Sequence, residues 1–590
     1  MYSRSFVTKT LCFSDFYDEP MRDAMAYMKE IRKDWLISAI LHMISVISYD
    51  SFSMRADRML RMMFQDYMTD KEVHRLYGRL SLVARSYPGV YLTFINHKAL
   101  YGLLRIILLT EDADGAGESF QSLTGLLKAI LAANSVEMEA EANTLRKLEE
   151  VDDLKKALIM MQQDVMNNGA FGDNFTEIKK TQELKFLALH AFAQSRPDDY
   201  GIVLKKLMAQ KGFNDIYHYW LAVYTPLKIY HDTNKYREGL IRMSKEDFGS
   251  APLVWDNMVT SLQGKCLDVN DLMKLREIMS DKEMQDHTCF RKFPVLKLSE
   301  EEYVIVSMFY YAQILYDGLQ WDFLAALKKN FKRDFISEYP TDFSEKWMFC
   351  KLFESIGYKR KIWAENDSRF DDKDAAPDIT VNTKRNIFMF EFKDMRVMKE
   401  VADGRDMNKL LKYIDNRLNH KKDKHEGNKG VPQLVKDMEN YFQGKFPPEF
   451  QEWNRNRQKV QPILVINSRV FTSRGVNQIL QDRMRERIEE SEVLSLHKKR
   501  IDDLLVIDYD MLVILLSKIR GNFALLMKLK REYQYHTKRA TAPIERFVSF
   551  RGFAMRKWEN ERNKKNDRKI EKGFKEVTRN LTGYDFSRKR

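Results

Sequence analysis

"APDITVNTKRNIFMFEFKD", residues Ala376 to Asp394, contains a strand with charges at its end. Three phenylalanines occupy every second position from Phe388 to Phe392, which is the two-residue period of a β-strand. Glu391 and Lys393 are also two residues apart, so their side chains point to the same face of the strand. Buried charges cost several kcal/mol unless they are paired or bind a metal. The pattern therefore predicts a strand whose charged end has a specific partner.

The preceding segment supplies a candidate partner, because Asp378 opens a second short strand. A tight reversal centred on Lys384 and Arg385 places Asp378 opposite Glu391, with Cβ atoms ~4.5–5.5 Å apart. Two such carboxylates repel each other unless a cation lies between them, and Mg²⁺ prefers oxygen ligands. Lys393 could orient a water or stabilise developing negative charge. The alternative is a surface hairpin whose Glu-Lys ion pair is worth ~0–1 kcal/mol.

Residues 335–550 alternate between helical and strand patterns. A helix is predicted over Thr341–Gly357, with Thr341 or Asp342 as its N-cap. Two βα units follow after residue 460, and their strands are almost continuously apolar. Such strands are typical of a mixed α/β sheet that is covered by helices on both faces.

Residues 1–334 are predicted to form an all-α helical domain, with long helices over Leu126–Asn168 and Tyr303–Phe331. Their Met and aromatic residues are interpreted as core rather than as a ligand pocket. The region contains no motif for catalysis or metal binding. We expect it to recognise nucleic acid, a protein partner or a second copy of the chain.

The 590-residue chain carries a net charge of +13. Residues 551–590 contain 14 Lys/Arg and six Asp/Glu, and are predicted to form a basic C-terminal tail. This tail could contact phosphates, or be a solvated segment or a docked basic helix. The four cysteines are dispersed, which favours the reducing cytoplasm and gives no zinc site. The apolar run Trp35–Tyr49 is too short for a membrane span, so no membrane association is expected.

The segments "PDITV" and "FMFEFK" resemble the motif of the PD-(D/E)xK nuclease superfamily, which has the restriction-endonuclease-like fold. Pro377 and Asp378 match its first half, and Glu391, Phe392 and Lys393 match its second half. The resemblance extends over residues 335–530. A long charged insertion between Lys393 and the following helix departs from the family pattern.

The resemblance implies a nuclease that hydrolyses phosphodiester bonds with Mg²⁺ or Mn²⁺. Its substrate is DNA or RNA, with DNA the favoured assignment. Asp378 and Glu391 would bind the metal and Lys393 would orient the attacking water. The family often has a glutamate on an earlier helix, which corresponds to Glu345 as an auxiliary ligand. Some branches have a glutamine on a later helix, which nominates Gln433. A role in defence or genome maintenance suits a nuclease joined to a helical domain.

A second hypothesis keeps the fold and omits the chemistry. The protein would then be a catalytically inactive, nuclease-like module that binds nucleic acid or acts as a scaffold. A third hypothesis is an all-helical interaction protein with an incidental hairpin. It requires the βα units after residue 460 to be absent.

Overall fold

The structure is a computed structural model. The residues that it describes are 8–49, 55–111, 115–146, 152, 175–232, 241–248, 251–281, 288–331, 335–355, 362–364, 376–383, 385–395, 407–420, 429–447, 457–472, 474–519, 521–541, 543–560 and 564–583.

Most of the described residues are helical. The α-helices are Phe13–Phe16, Ala24–Met28, Lys33–Tyr49, Ala56–Phe64, Lys71–Ser86, His97–Leu109, Phe120–Arg146, Phe175–Ser195, Ile202–Gln210, Ile216–Asp232, Pro252–Ser261, Leu272–Ser280, Thr288–Lys292, Met308–Gln313, Leu319–Phe331, Phe335–Tyr339, Cys350–Glu354, Met407–Leu418, Val431–Phe442, Val476–Glu490, Glu492–His497, Tyr509–Ile519, Phe523–Arg539, Pro543–Arg546, Phe550–Asn560 and Lys564–Thr582. Wider π-helical turns form Pro197–Gly201, Ile314–Gly318 and Pro340–Phe349. None of the described helices combines the length and hydropathy needed to cross a bilayer.

Eleven strands are seen among the described residues. They are β1 Thr8–Thr10, β2 Tyr91–Thr93, β3 Ile241–Ser244, β4 Cys266–Asp268, β5 Val295–Ser299, β6 Glu302–Ile305, β7 Ile362–Ala364, β8 Ile379–Asn382, β9 Asn386–Lys393, β10 Lys459–Ile466 and β11 Leu505–Asp508.

The chain divides into two compact units, and each unit is assembled from several segments. The N-terminal unit comprises Met1–Glu150, Ala170–Gln182 and Leu204–Asp322. The C-terminal unit comprises Val151–Gly169, Glu183–Val203 and Phe323–Arg590. The helix Phe175–Ser195 therefore contributes residues to both.

The N-terminal unit is not all-α, so that expectation is wrong. It contains a four-stranded sheet of order β3-β6-β5-β4 and a parallel pair, β1 and β2. The predicted helix over Tyr303–Phe331 fails at its start, because β6 occupies Glu302–Ile305 and the helix begins at Met308. Ser307 separates the two elements and caps the helix by accepting from the Tyr310 amide, at 3.5 Å. The Val-Ile-Val run at 304–306 has β-branched side chains that favour a strand.

The C-terminal unit is built around a five-stranded mixed sheet of order β11-β10-β9-β8-β7. The strands β9, β10 and β11 are mutually parallel, and β7, β8 and β9 are antiparallel neighbours. The central strand β9 spans Asn386–Lys393, as the alternating phenylalanines predict. The mixed sheet expected for this half of the chain is confirmed.

Helices cover both faces of this sheet. On one face, Met389 and Leu464 lie in a buried core with Leu434 and Leu480 from two helices. On the other face, the three phenylalanines of β9 contact aromatic rings. The ring pairs are Phe388 with Phe523, Phe390 with Phe353 and Phe392 with Phe349. Since β9 is apolar on both faces apart from Glu391 and Lys393, these two charges are exceptions that need a reason.

The helix predicted over Thr341–Gly357 differs from the observed one. The chain is already helical from Phe335, so neither Thr341 nor Asp342 is an N-cap. Pro340 lacks an amide hydrogen, and it begins the ten-residue segment Pro340–Phe349, which forms wide π-helical turns. The predicted end at Gly357 lies outside the described residues.

The basic C-terminal segment is not a free tail. Residues Phe550–Asn560 and Lys564–Thr582 are helical, and Phe574, Val577 and Leu581 are buried. A Cβ added to Gly573 would lie 2.2 Å from the Ser517 carbonyl oxygen, so the helix backbones are in close contact there. Of the alternatives given for this segment, the docked basic helix is the one observed, up to residue 583.

Candidate active site

The charged end of β9 faces the start of β8 in the predicted register. Ile379 pairs with Phe390 and Asn382 pairs with Ile387, which confirms the predicted pairing of the two strands. Asp378 directly precedes β8, and its Oδ2 accepts a hydrogen bond of 2.6 Å from the Phe392 amide. The Asp378 side chain is 3% exposed. The backbone of β9 thus holds this carboxylate beside Glu391.

Glu391 and Lys393 form an ion pair on one face of β9. The Glu391 side chain is fully buried, whereas the Lys393 side chain is 21% exposed. Oε2 of Glu391 is buried and has no hydrogen-bond partner among the described residues. A buried carboxylate oxygen without a partner is costly in a folded protein and is typical of functional sites.

The electrostatics of the site favour a cation. Burial raises the pKa of the Glu391 carboxyl well above its usual range, Asp378 and Asp437 raise it further, and Lys393 opposes them. Burial also raises the pKa of Asp378, against the influence of Lys393 and the Phe392 amide. Burial alone would lower the pKa of Lys393, but the carboxylates Glu391, Asp378 and Glu345 raise it overall. The site therefore has more negative charge than its lysine neutralises.

The helix Val431–Phe442 contributes two polar side chains. Gln433 accepts a hydrogen bond of 3.3 Å from Lys393 through Oε1. Asp437, four residues later on the same helix face, is 1% exposed and acts electrostatically on Glu391. Sequence reasoning nominated Gln433 and missed Asp437. The spacing of four residues was the available signal, since it places both side chains on one face.

Glu345 lies in the π-helical segment Pro340–Phe349 and is half-buried. It is close enough to raise the pKa of Lys393. Among the described residues, however, no three His, Cys, Asp or Glu side chains converge closely enough to hold a metal ion. The structure thus brings Asp378, Glu391, Lys393 and Gln433 together, and Glu345 is near enough to Lys393 to act on it electrostatically.

A second polar cluster adjoins the site at the ends of β9 and β10. Asn467 donates through Nδ2 to Asp394 at 3.2 Å and accepts through Oδ1 from Lys185 at 3.2 Å. Lys185 also pairs with Asp510 at 2.8 Å, and both side chains are nearly buried. The Asn467 amide donates to the Lys393 carbonyl at 3.0 Å, which links the two clusters. No local signal could predict that Lys185, 282 residues before Asn467, lies here.

The structure describes part of each of the two predicted phosphate-binding segments, the 419–430 loop and the basic C-terminal segment. In the basic loop Asn419–Gly430, residues 421–428 lie outside the described residues. In the C-terminal segment, the docked helix Lys564–Thr582 exposes Lys572, Lys575 and Arg579 on its outer face. These exposed cations could contact phosphate, while residues 584–590 also lie outside the described residues.

Comparison of the chain with family models, with curated proteins and with solved structures gives no match.

Proposed function

We propose that the C-terminal unit is a metal-dependent nuclease of the restriction-endonuclease-like kind, which hydrolyses phosphodiester bonds in DNA or in RNA, with DNA the favoured assignment. The observation that carries the proposal is the buried cluster of Asp378, Glu391 and Lys393 at the end of β9, with Gln433 bonded to the lysine. The order and types of these side chains follow the motif that the sequence resembles. A defence or genome-maintenance role is part of the same proposal.

The residues fit a divalent cation. Asp378 and Glu391 offer carboxylate oxygens on adjacent strands, and Oε2 of Glu391 has no hydrogen-bond partner among the described residues. We assign Mg²⁺ or Mn²⁺ to this pair, since both prefer oxygen ligands. The bound metal would polarise the scissile phosphate and lower the pKa of a bound water. Glu345, which acts electrostatically on Lys393, would be an auxiliary metal or water ligand.

Lys393 has the charge and position for two tasks. Its ammonium lies beside the carboxylates and is partly exposed, so it can hydrogen-bond to a phosphate oxygen or to the attacking water. Gln433 accepts a hydrogen bond from the ammonium through its amide oxygen and so helps to position it. In the reaction, the water oxygen would bond to phosphorus as the bond to one sugar oxygen breaks. One water proton would pass to solvent, and the departing sugar oxygen would take a proton from solvent to become a hydroxyl.

The partners follow from charge. Lys572, Lys575 and Arg579 on the docked helix, together with the 419–430 loop, would supply sequence-independent phosphate contacts that weaken as salt rises. The helical N-terminal unit would bind a protein partner or a second copy of the chain. Dispersed cysteines, all four of them free, support a cytoplasmic location.

The rival is a nuclease-like module without activity, which binds nucleic acid or acts as a scaffold. One observation favours it: no third carboxylate converges with Asp378 and Glu391 among the described residues. Against it stands the cost of keeping Glu391 fully buried beside a second carboxylate, because an inactive site would gain from a neutral residue there.

The test is a cleavage assay of the full-length protein on supercoiled plasmid, linear duplex, single-stranded DNA and RNA, each with Mg²⁺, Mn²⁺ or EDTA. We expect metal-dependent cleavage that favours DNA. Glu391→Gln and Lys393→Ala should each lower the rate by about 10³-fold or more, as losses of metal binding and charge stabilisation do. Matched controls are Glu486→Gln and Lys459→Ala, which alter exposed ion pairs away from the site.

Cleavage that is equal in the Glu391 and Lys393 variants and the parent would refute the site. Metal-independent binding without cleavage of any substrate would instead support the scaffold. Thermal unfolding of each variant separates loss of chemistry from loss of fold.

A further inference from the structure

The N-terminal unit contains a pocket of about 320 Å³ that the proposed nuclease chemistry does not use. It lies between the helices Lys33–Tyr49 and Ala56–Phe64 and the start of the helix Phe120–Arg146. The pocket opens to solvent, because Met62 and Glu118 on its wall are exposed. Its volume falls at the lower end of the usual range for small-molecule sites.

The walls of the pocket are apolar and adaptable. Met59, Met62 and Met63 line it from one helix, and Trp35 and Ala39 line it from the facing helix. Methionine side chains are flexible and polarisable, and their sulfur atoms make favourable contacts with aromatic rings. Trp35 adds a flat, half-buried ring. A flat hydrophobic molecule therefore complements these walls.

The polar groups of the pocket define the other end of the ligand. Among the lining residues that the structure describes, Glu118 is the one acidic side chain, it is exposed, and none is Lys or Arg. Burial lowers the pKa of His42, so its imidazole is neutral near pH 7. Arg242 approaches Ser38 at 3.3 Å, but its guanidinium is already paired with Glu302 at 3.1 Å. The charge available to a ligand is thus the Glu118 carboxylate at the rim.

We propose that this pocket binds a flat, hydrophobic small molecule that carries a protonated amine, with the ring between Trp35 and the methionines and the amine at Glu118. The proposal is independent of the nuclease assignment, because it rests on residues of the N-terminal unit alone.

The first experiment measures binding of three matched probes to the full-length protein by calorimetry. The probes are 1-naphthylmethylamine, 1-naphthylmethanol and 1-naphthoate, which share a ring system and differ in charge. We expect the amine to bind most tightly and the carboxylate most weakly. Tightest binding of naphthoate would overturn the assigned charge, and no saturable binding of any probe would overturn the pocket.

Three variants test the assigned contacts. Glu118→Gln should weaken amine binding about two- to fivefold, as expected for an exposed ion pair, and leave the alcohol unchanged. Ala39→Phe should fill the pocket and abolish binding of all three probes. Ala209→Phe, at an exposed helical position of the same unit, is the matched control.

Because Ala39→Phe could also disturb folding, Met62→Lys provides a second test at a 48% exposed position of the wall. The added cation should weaken amine binding and strengthen naphthoate binding. If neither Met62→Lys nor Ala39→Phe changes the affinity of any probe, binding occurs elsewhere and the proposal is wrong.

Discussion

Two buried carboxylates in the C-terminal sheet have opposite surroundings. Asp508, at the end of β11, is 1% exposed and accepts from Arg551 at 2.6 Å, from the Met511 amide at 2.9 Å and from Thr472 at 3.4 Å. Glu391, near the end of β9, is fully buried with Lys393 as its cation, and it faces another carboxylate. One carboxylate has its hydrogen-bonding capacity filled, and the other has an open oxygen.

The difference teaches how to separate structural from functional buried charge. A carboxylate with a complete set of donors stabilises its surroundings once formed, because removing a donor leaves an unpaired charge. A carboxylate that is crowded by like charge and lacks donors costs stability in the absence of a further cation. The first arrangement ties the C-terminal segment to the sheet, and the second suits a metal or substrate site.

The largest effect on stability is expected from removing Arg551, one of the three donors to Asp508. Arg551→Ala should lower the free energy of unfolding by about 3–5 kcal/mol, because Asp508 would remain buried without its cation. Chemical denaturation of the full-length protein measures this. Arg579→Ala removes the same charge from an exposed position and should change stability by less than about 0.5 kcal/mol. Equal changes in the free energy of unfolding would show that the buried Arg551–Asp508 pair stabilises the protein no more than an exposed arginine does.

A second prediction concerns the partner of Lys393. Gln433→Ala should lower the cleavage rate about tenfold with little change in KM, because the ammonium loses one of its two anchors and is positioned less well. Steady-state kinetics check this. Gln478→Ala, a half-buried glutamine on the helix Val476–Glu490, is the control. Unchanged kcat in Gln433→Ala would remove this residue from the site.

The sequence predicts those parts of the fold that are determined by residues close together in the chain. The alternating phenylalanines and the two-residue spacing of Glu391 and Lys393 are local, and they predicted β9 and its register with β8. The strand Glu302–Ile305 was misassigned because a short apolar run next to a helix has no clear period of its own.

The candidate site divides in the same way. Gln433 is predicted from a motif, and the four-residue spacing places Asp437 on the same helix face. That Asp437 acts on Glu391 is known only from the structure. Lys185 contacts Asp510 and Asn467 only because of the tertiary fold, so no spacing in the sequence predicts these contacts. The sequence does not decide whether the basic C-terminal segment packs against the protein. It shows the charge of the segment, but it does not show the backbone contact at Gly573.

A third prediction uses the open carboxylate to link stability to pH. The pKa values of Glu391 and Asp378 are raised in the folded state, so the folded protein binds more protons than the unfolded chain. The contribution of this pair to stability should therefore fall as pH rises from about 4, the unfolded value, through the raised folded values. Glu391→Gln should reduce this loss and raise the melting temperature of the metal-free protein near neutral pH.

The same measurement in Mn²⁺ sharpens the comparison. Binding to the folded state should raise the melting temperature of the parent, more so as pH rises, because the carboxylates must be deprotonated to bind the ion. Glu391→Gln should lose most of this shift, whereas Glu486→Gln should keep it. A shift of equal size in all three proteins would place the ion elsewhere.

The smallest expected effect concerns Asp437, which acts on Glu391 through charge. Its carboxylate helps to raise the pKa of Glu391, in the same direction as burial and Asp378 and against Lys393. Asp437→Asn preserves the size of the side chain and removes its charge, so the pKa of Glu391 should fall. In the proposed reaction the deprotonated carboxylate binds the metal, so the acid limb of the pH–rate profile should move to lower pH.

The pH–rate profile of kcat/KM reports this movement directly, since it follows groups of the free enzyme. Asp482→Asn is the matched control, because Asp482 is exposed and pairs with Arg485 away from the site. An acid limb that stays in place in Asp437→Asn would show that Asp437 supports the helix rather than the charge of Glu391. A limb that moves to lower pH at an unchanged plateau rate would show that Asp437 acts by raising the pKa of Glu391. Arg551 has the contrasting role, because its guanidinium neutralises the buried carboxylate of Asp508.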